Sequence, residues 1–575
     1  MTNNIRVFLW LGLALALWLN YSQWQQDYGP KPTNSAVSAT PGGPKPPSME
    51  DTVPQAPQSS APPTAAGADS VPSAASATTV PAVNAAVETA GTVHVSTDVL
   101  DIDIDLKGGT LVRAALPGYP LVKGEPVPVV LLNRDSPTTN YVMQTGLSAD
   151  RKDGHAPSHV EVLSSAATQY TLAPGQNELR VPLTWTDGAG VTVTKSFVFR
   201  RSNFAIGVEY AIDNQSAQPW VVHSYARIVR ADPPVDRSMF RIESYAFRGP
   251  AVWAAEKPGG DNLYRRLKLE KPEDARFAPE ETNGWLAGMQ HHFASAIVPD
   301  RTKKYTYSLS ANDRTYYLSA IGPAEAVAPG TSATLKEALF VGPKLQDQLN
   351  AIHPELYRVA DYGTLTFLSR PLFLFLGFIH DLVKNWGLTI ILATFLLKLA
   401  FYPLSEKAGR SMARMRTLAP RMKLLQEQYK DDRSKLGQAT MELYKTEKVN
   451  PVSGCLPMLI QMPVFLAFYW VLLESAEMRQ APFLGWINDL SSRDPFFILP
   501  ALNGLAMWFQ QKLNPPPPDP MQAKLFQFMP VVFSVMFAFA PAGLVLYWVT
   551  NTGLGILQQW NINRKIAAED KARRK

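Results

Sequence analysis

Hydrophobic positions along the 575-residue chain fall into three regimes. The first is a short run from Val7 to Leu19, interrupted only by Gly12 and preceded by Arg6. Such a run is either a secretory signal or a first membrane span. No small-x-small cleavage pattern follows between Asn20 and Gly29, and Trp18, Tyr21, Trp24 and Tyr28 suit a membrane interface. The pattern predicts an uncleaved transmembrane anchor over residues 1–29. Between Pro30 and Val99 there is no Leu, Ile, Phe, Tyr or Trp, while Pro recurs twelve times up to Pro81. That composition cannot bury enough surface to offset its ordering entropy, so residues 30–92 are expected to be a disordered tether outside the cytoplasm.

The second regime has period two. Leu100, Ile102, Ile104 and Leu106 alternate with Asp101, Asp103 and Asp105, and Gly108-Gly109 turns the chain into Thr110 to Val112, which predicts a hairpin. Val181 to Trp185 alternates likewise, turns at Asp187 to Gly190, and returns through Val191, Val193, Phe197 and Phe199. Phe204 to Ile212, His292 to Ile297 and Lys304 to Ser310 add further strands. Residues 93–350 are therefore expected to form a large antiparallel β-sandwich.

The third regime is helical and apolar. Leu372, Phe375, Leu376, Ile379, Leu382 and Val383 recur at helix spacing, with His380, Asp381 and Lys384 ending the run. This predicts an amphipathic helix on the membrane surface within a linker over 351–385. Trp386 to Leu404 reads as the second span (386–404). Cys455 to Leu473, Pro495 to Gln511 and Leu525 to Trp560 supply the remainder, four helices within 451–562. The last stretch has 36 residues and no charge. As one helix it would run about 54 Å, against a hydrocarbon core of about 30 Å. Pro541-Ala542-Gly543 divides it into two short helices joined by a tight turn. With the anchor, the expected number of spans is six.

Charge placement orients these elements. Eleven Lys and Arg lie between Leu404 and Asn450, against only Arg479 and Arg493 between Glu474 and Asp494. The positive-inside rule makes 405–450 a cytoplasmic helical hairpin and places both termini, including the basic tail 563–575, in the cytoplasm. The sandwich then lies outside. A single cysteine, Cys455, excludes an intramolecular disulfide and a multi-thiolate zinc site. A disulfide-free outer domain without a eukaryotic targeting peptide suggests the inner membrane of a Gram-negative bacterium. The net charge of +6 is small for this length and gives no sign of DNA binding.

Lys398 is the one charge well inside an apolar span, about midway along Trp386 to Leu404. A cation at that depth costs at least about 2.5–3.5 kcal/mol, so it faces a bundle interior, a wet cavity, or snorkels to the edge near Ser405. Thr394 shares its helix face. Gln461 sits between Pro457 and Pro463; Asn503, Met507 and Gln510 recur at helix spacing, as do Tyr547, Asn551 and Gln558. Singly these are ordinary interhelical hydrogen-bonding groups, and together they would line a polar groove. In the hairpin, Met412, Met415, Leu418, Met422 and Leu425 form an apolar stripe beside Arg414 and Arg421. It either packs the two helices together or offers Met412, Arg414, Met415 and Met422 to a client segment or ribosome. Enzymatic constellations are poor. His291 and His292 are expected on opposite faces of a strand, Thr394 is a weak partner for a Ser-Lys-type dyad, and no phosphate-binding loop or glutamate-histidine metal motif occurs. No cofactor or metal is expected.

The stretches NWGLTIILATFLLKLAFYPL (Asn385 to Leu404), EKVNPVSGCLPMLIQMPVFLAFYWVLLES (Glu447 to Ser475), RQAPF (Arg479 to Phe483) and DPMQAKLFQFMPVVFSVMFAFAPAGLVLYWVTN (Asp519 to Asn551) closely resemble the YidC/Oxa1/Alb3 family of membrane protein insertases. The resemblance spans about Asp361 to Arg564. It implies a five-helix core with a hydrophilic groove open to cytoplasm and lipid, and an outer sandwich of galactose-mutarotase type. It also implies nascent membrane proteins as clients, and the Sec translocon, signal-recognition pathway and ribosome as partners. The family's groove cation maps onto Lys398, its polar neighbour onto Thr394, and an aromatic pair onto Tyr547 and Trp548. Many relatives carry Arg and Tyr-Tyr at these places; Lys keeps the charge but lacks the planar fork of Arg. Two other classes remain open on residues alone: a solute transporter, for which no internal repeat is visible, and a membrane-anchored carbohydrate-active sandwich.

Overall fold

The structure is a computed structural model that describes residues 53–54, 91–149, 155–232, 246–255, 261–268, 280–312, 315–429, 432–447, 456–513 and 520–574. The expected anchor, nearly all of the tether and Cys455 lie outside the described residues. The chain divides into a β unit, Pro47–Thr366 with Trp470–Ala481, and a helical unit that includes Phe367–Tyr469 and Pro482–Lys575.

The β unit holds two large sheets. In the first, Glu280–Glu281, Tyr305–Asn312, Thr315–Val327, Trp220–Ala231, Tyr141–Ala149, Thr110–Pro120, Asp101–Asp105, Thr92–Ser96 and Gln169–Thr171 lie side by side, with Pro128–Leu132 also on Thr110–Pro120. In the second the order is Asn262–Arg266, Gly249–Ala255, Trp285–Met289, Phe293–Val298, Thr331–Pro343, Ala205–Asn214, Val191–Arg200, Glu178–Thr186 and Ser164–Ser165. All described pairings are antiparallel except Thr92–Ser96 with Gln169–Thr171. The alternation read from the sequence is what buries the core. Ile102, Ile104, Val181, Leu183, Val193 and Phe197 are fully buried, while Asp101 pairs with Arg113 at 2.5 Å and Asp103 with His94 at 2.7 Å on the outer face.

Gly108-Gly109 does more than turn the chain. The fully buried Lys195, on a strand of the second sheet, donates to the Gly108, Gly109 and Thr145 carbonyls at 2.7, 3.1 and 2.7 Å, tying the two sheets together. A side chain on Gly109 would meet Lys195 Nζ and Leu183 Cδ1, each at 3.0 Å. Burial lowers Lys195 to about 7. His291 and His292 correct the expectation of opposite faces. They lie in the bend between Trp285–Met289 and Phe293–Val298, not within a strand, and their rings stack at 3.8 Å. Burial holds both neutral, His291 at about 4, and His291 Nε2 donates to the Leu473 carbonyl at 2.9 Å.

That contact belongs to Trp470–Ala481, which packs among the strands although it follows an apolar helix in sequence. Glu474 faces the buried Lys344 at 3.7 Å, the Glu477 carboxylate accepts from the Gln346 N–H at 3.1 Å, and Arg479 donates to the Pro120 carbonyl at 2.8 Å.

The helices are α1 (Gln346–Ile352), α2 (Thr366–Val383), α3 (Trp386–Ala400), α4 (Tyr402–Gln428), α5 (Arg433–Thr446), α6 (Leu456–Glu474), α7 (Ile498–Leu513), α8 (Pro520–Phe537) and α9 (Ala542–Arg574). The expected span Trp386 to Leu404 is broken: α3 ends at Ala400 and α4 leaves at 63°. Pro403, in the first turn of α4, has no N–H with which to continue α3. Lys398 is consequently in the last turn of α3 and not midway along a span. By length and composition α2, expected on the surface, is the one described helix fit to cross a membrane; α3 with the start of α4 is a bent second, and the apolar parts of α6 and α8 are shorter. Length and composition therefore do not show six spans.

Burial raises the Glu477 carboxyl to about 7, so the folded β unit favours its protonated form. That contribution is complete below the ordinary value of 4.5 and is lost as pH rises through about 7. Glu477→Gln is expected to make the stability of the full chain fall less steeply between pH 4.5 and about 7, by up to about 1.4 kcal/mol per pH unit, in pulse proteolysis across that range. An unchanged slope would contradict this.

Candidate functional site

The site is assembled from α3, α4, α6, α7 and α9 of the helical unit. Asn385 caps α3, its Oδ1 accepting from the Leu388 N–H at 3.0 Å, and Gly387 lets α3 lie directly against Phe483. This fixes the rotation of α3, which places Thr394 and Lys398, four residues apart, on one face. From α6 comes Gln461 and from α9 come Tyr547 and Asn551. These five residues line one open cavity of about 530 Å³. Its apolar walls are Leu397, Phe401, Leu404 and Val464, with Ser405 from the first turns of α4.

Polar groups in the cavity are arranged with little redundancy. Gln461 Nε2 donates to Asn551 Oδ1 at 2.6 Å, joining α6 to α9. Thr394 Oγ1 donates to the Ile390 carbonyl at 2.6 Å, so its proton is committed within its own helix and only its lone pairs face outward. Among the described residues no carboxylate pairs with Lys398. What stands nearby is the C-terminal end of α3, whose last carbonyls carry partial negative charge. Gly555, one turn beyond Asn551 on α9, is part of the same constellation. A Cβ there would lie 3.0 Å from Gln510 Nε2 and 3.7 Å from Lys398 Nζ, so bare backbone at this point admits both side chains.

Other residues singled out from the sequence sit elsewhere. Asn503 is fully buried and donates to Met507 Sδ at 3.6 Å along α7; neither lines the cavity. Trp548 packs away from it, among Phe465 at 4.5 Å, Phe537 at 5.3 Å and Phe533 at 6.4 Å, whereas Tyr547 stacks on Phe468 at 4.4 Å. In the α4–α5 hairpin Leu418 and Met422 are buried, Met422 Sδ accepting from Thr440 at 3.6 Å, which is packing between the two helices. Met415 is half-buried and Arg414 exposed; the Met412 side chain lies outside the described residues. Sequence reasoning missed Gly555 and the apolar walls. A glycine within a helical run is a weak signal until a neighbouring helix is placed against it. Among the described residues no group of three or more His, Cys, Asp or Glu is placed to hold a metal ion.

Residues 378–570 match the family described as 60Kd inner membrane protein, and residues 92–375 match the YidC periplasmic domain. A membrane protein insertase YidC from Thioalkalivibrio sulfidiphilus is 44% identical, covering 98% of this chain and 99% of its own. Its counterpart from Nitrosococcus oceani is 42% identical with the same coverage. Among solved structures, an active YidC insertase with its first transmembrane domain resolved aligns over 82% of this chain and 94% of its own, at 20% identity and a TM-score of 0.35. With nearly the whole chain aligned at this identity, the protein belongs to the YidC family of membrane protein insertases.

Proposed function

We propose that this chain, an inner-membrane insertase with a periplasmic domain and not an enzyme, moves client segments through the cavity of α3, α6 and α9. The observation that carries the reading is Lys398: a cation in an apolar helical unit, lining a cavity with Thr394, Gln461, Tyr547 and Asn551, with no carboxylate beside it among the described residues. Such a group attracts acidic residues of a client's outward-going tail. At 4 Å and an effective dielectric of 20, two opposite charges attract by about 4 kcal/mol, enough to offset much of the cost of bringing a carboxylate to that depth. The client's apolar helix then passes into lipid, driven by about 25 cal/mol per Å² of apolar surface removed from water.

Topology in this proposal has six spans, counting residues 1–29, with both termini and the α4–α5 hairpin cytoplasmic. The short helices support a thinned bilayer: α3 has 15 residues and so a length of about 22 Å, below the usual core of about 30 Å. Arg414 and Met415, exposed or half-buried on α4, and the basic end of α9 are the surfaces offered to ribosome, signal-recognition pathway and Sec translocon.

In purified proteoliposomes, Lys398→Glu is expected to reduce insertion of a client with an acidic outward tail at least about tenfold, equivalent to about 1.4 kcal/mol, while Lys398→Arg retains it. Equal insertion by the wild type and Lys398→Glu would reject the mechanism. Gly555→Leu tests the geometry. Its side chain occupies the space of Gln510 Nε2 and Lys398 Nζ, so insertion is expected to drop about as far, whereas Gly555→Ala, at normal abundance in the membrane, is expected to lose only a few-fold.

A further inference from the structure

The β unit contains a second cleft, of about 630 Å³, that the insertion reading does not use. Its chemistry comes from Tyr264 and Arg266 on the edge strand Asn262–Arg266, and from Tyr357, Arg358, Asp361 and Tyr362 in the turns that precede α2. Arg266 Nη2 donates to Asp361 Oδ1 at 2.7 Å, and the ion pair brings its Nε to 2.5 Å from Oδ2, which accepts no hydrogen bond from the described residues. Arg358 Nε donates to Glu355 at 2.6 Å. A guanidinium has five N–H donors, and among the described residues Arg266 donates one to Asp361 and Arg358 one to Glu355, which leaves donors on each for a ligand. Two cations beside two anions make a site with little net charge, suited to a ligand that carries both signs.

Three further observations favour a built site. Arg358 lies 4.7 Å from the Trp253 ring and 5.3 Å from Tyr357, and Arg266 lies 5.4 Å from Phe247, so both guanidinium planes are held by aromatic rings. Asp361 adopts a left-handed conformation at φ 52°, and Gly363 follows at φ 66°; such strain in a non-glycine residue persists where its surroundings require it, and it concentrates at ligand clamps. The cleft wall ends at Thr366, the first residue of α2. Immediately afterwards α2 exposes Phe367, Leu374, Phe378 and Leu382, each more than 60% accessible. In an inner-membrane protein lipid covers such a face, and whether α2 crosses the bilayer or lies on it, its first residue is at headgroup depth.

We propose that this cleft binds a zwitterionic phosphoethanolamine group, with the free N–H donors of Arg266 and Arg358 on the phosphate and Asp361, Glu355 and the aromatic rings around the ammonium. The group is carried either by a phospholipid head or by a small soluble compound. The inference rests on the membrane location of the family and not on the route of insertion.

Titration calorimetry of the full chain in neutral detergent tests it, with dihexanoylphosphatidylethanolamine, O-phosphoethanolamine and inorganic phosphate as probes. Both amine-bearing probes are expected to bind, O-phosphoethanolamine at least fivefold more tightly than inorganic phosphate because the carboxylates reward the amine. Arg358→Gln is expected to weaken them at least tenfold and Arg358→Lys less, with the far-ultraviolet spectrum unchanged. Arg358 is the residue to vary because its partner Glu355 is partly solvent-accessible, whereas removing Arg266 would leave the buried Asp361 unpaired. Tenfold tighter binding of the lipid than of O-phosphoethanolamine assigns the site to the bilayer, and equal binding assigns it to a soluble compound. Inorganic phosphate binding as tightly as O-phosphoethanolamine, or affinities unaffected by Arg358→Gln, would overturn the proposal.

Discussion

Placing one ammonium among apolar helices constrains the helical unit more than any other single interaction. A charge at this depth is tolerated only where its surroundings replace part of the water it has lost. Lys398 meets that condition without a carboxylate among the described residues: it stands at the negative end of α3, faces a cavity lined by Gln461, Tyr547 and Asn551, and lies against bare backbone at Gly555. A carboxylate would satisfy the charge more fully and would thereby remove the attraction for an acidic tail on which the proposed route rests. The break at Phe401 belongs to the same arrangement. Had α3 continued through Pro403 into α4, Lys398 would have lain about eight turns from the helix end and lost the stabilisation its terminal carbonyls provide.

The two units solve opposite solvation problems. In the β unit, buried cations are set beside oxygen atoms of the protein itself. Lys195 takes three carbonyl oxygens and Lys344 takes Glu474. The helical unit leaves large side chains such as Phe367, Phe378, Phe528 and Val531 well over half exposed, which is unfavourable in water and neutral in lipid. Trp470–Ala481 shows the change of regime within a few residues. After the apolar run of α6, the chain spends Glu474, Glu477 and Arg479 on contacts among the strands.

Much of the architecture was legible because period two and period 3.6 are local properties of a chain. Alternation at Ile102 and Ile104, or from Val181 to Trp185, predicts which side chains a sheet buries, and the charge-free stretch from Leu525 to Trp560 is too long for one span. Accordingly α8 ends at Phe537 and α9 begins at Ala542. Part of the cavity was legible too, since Thr394 with Lys398 and Tyr547 with Asn551 are spaced one turn apart. Less legible was which of the polar residues meet. Asn503 turns to Met507, and Trp548 joins an aromatic cluster instead of the cavity, because helix rotation is set by contacts such as Gly387 against Phe483.

The sequence alone therefore determined the kinds of element, the apolar stretches and the one cation set among them, because each follows from composition and spacing over a few turns. Tertiary structure decided the rest. The contact of His291 with the Leu473 carbonyl, the use of Gly108-Gly109 as acceptors for Lys195, the role of Gly555 and the cleft between Arg266 and Arg358 each depend on residues tens to hundreds of positions apart. No local period encodes such meetings; they are fixed by the packing of whole sheets and helices against one another.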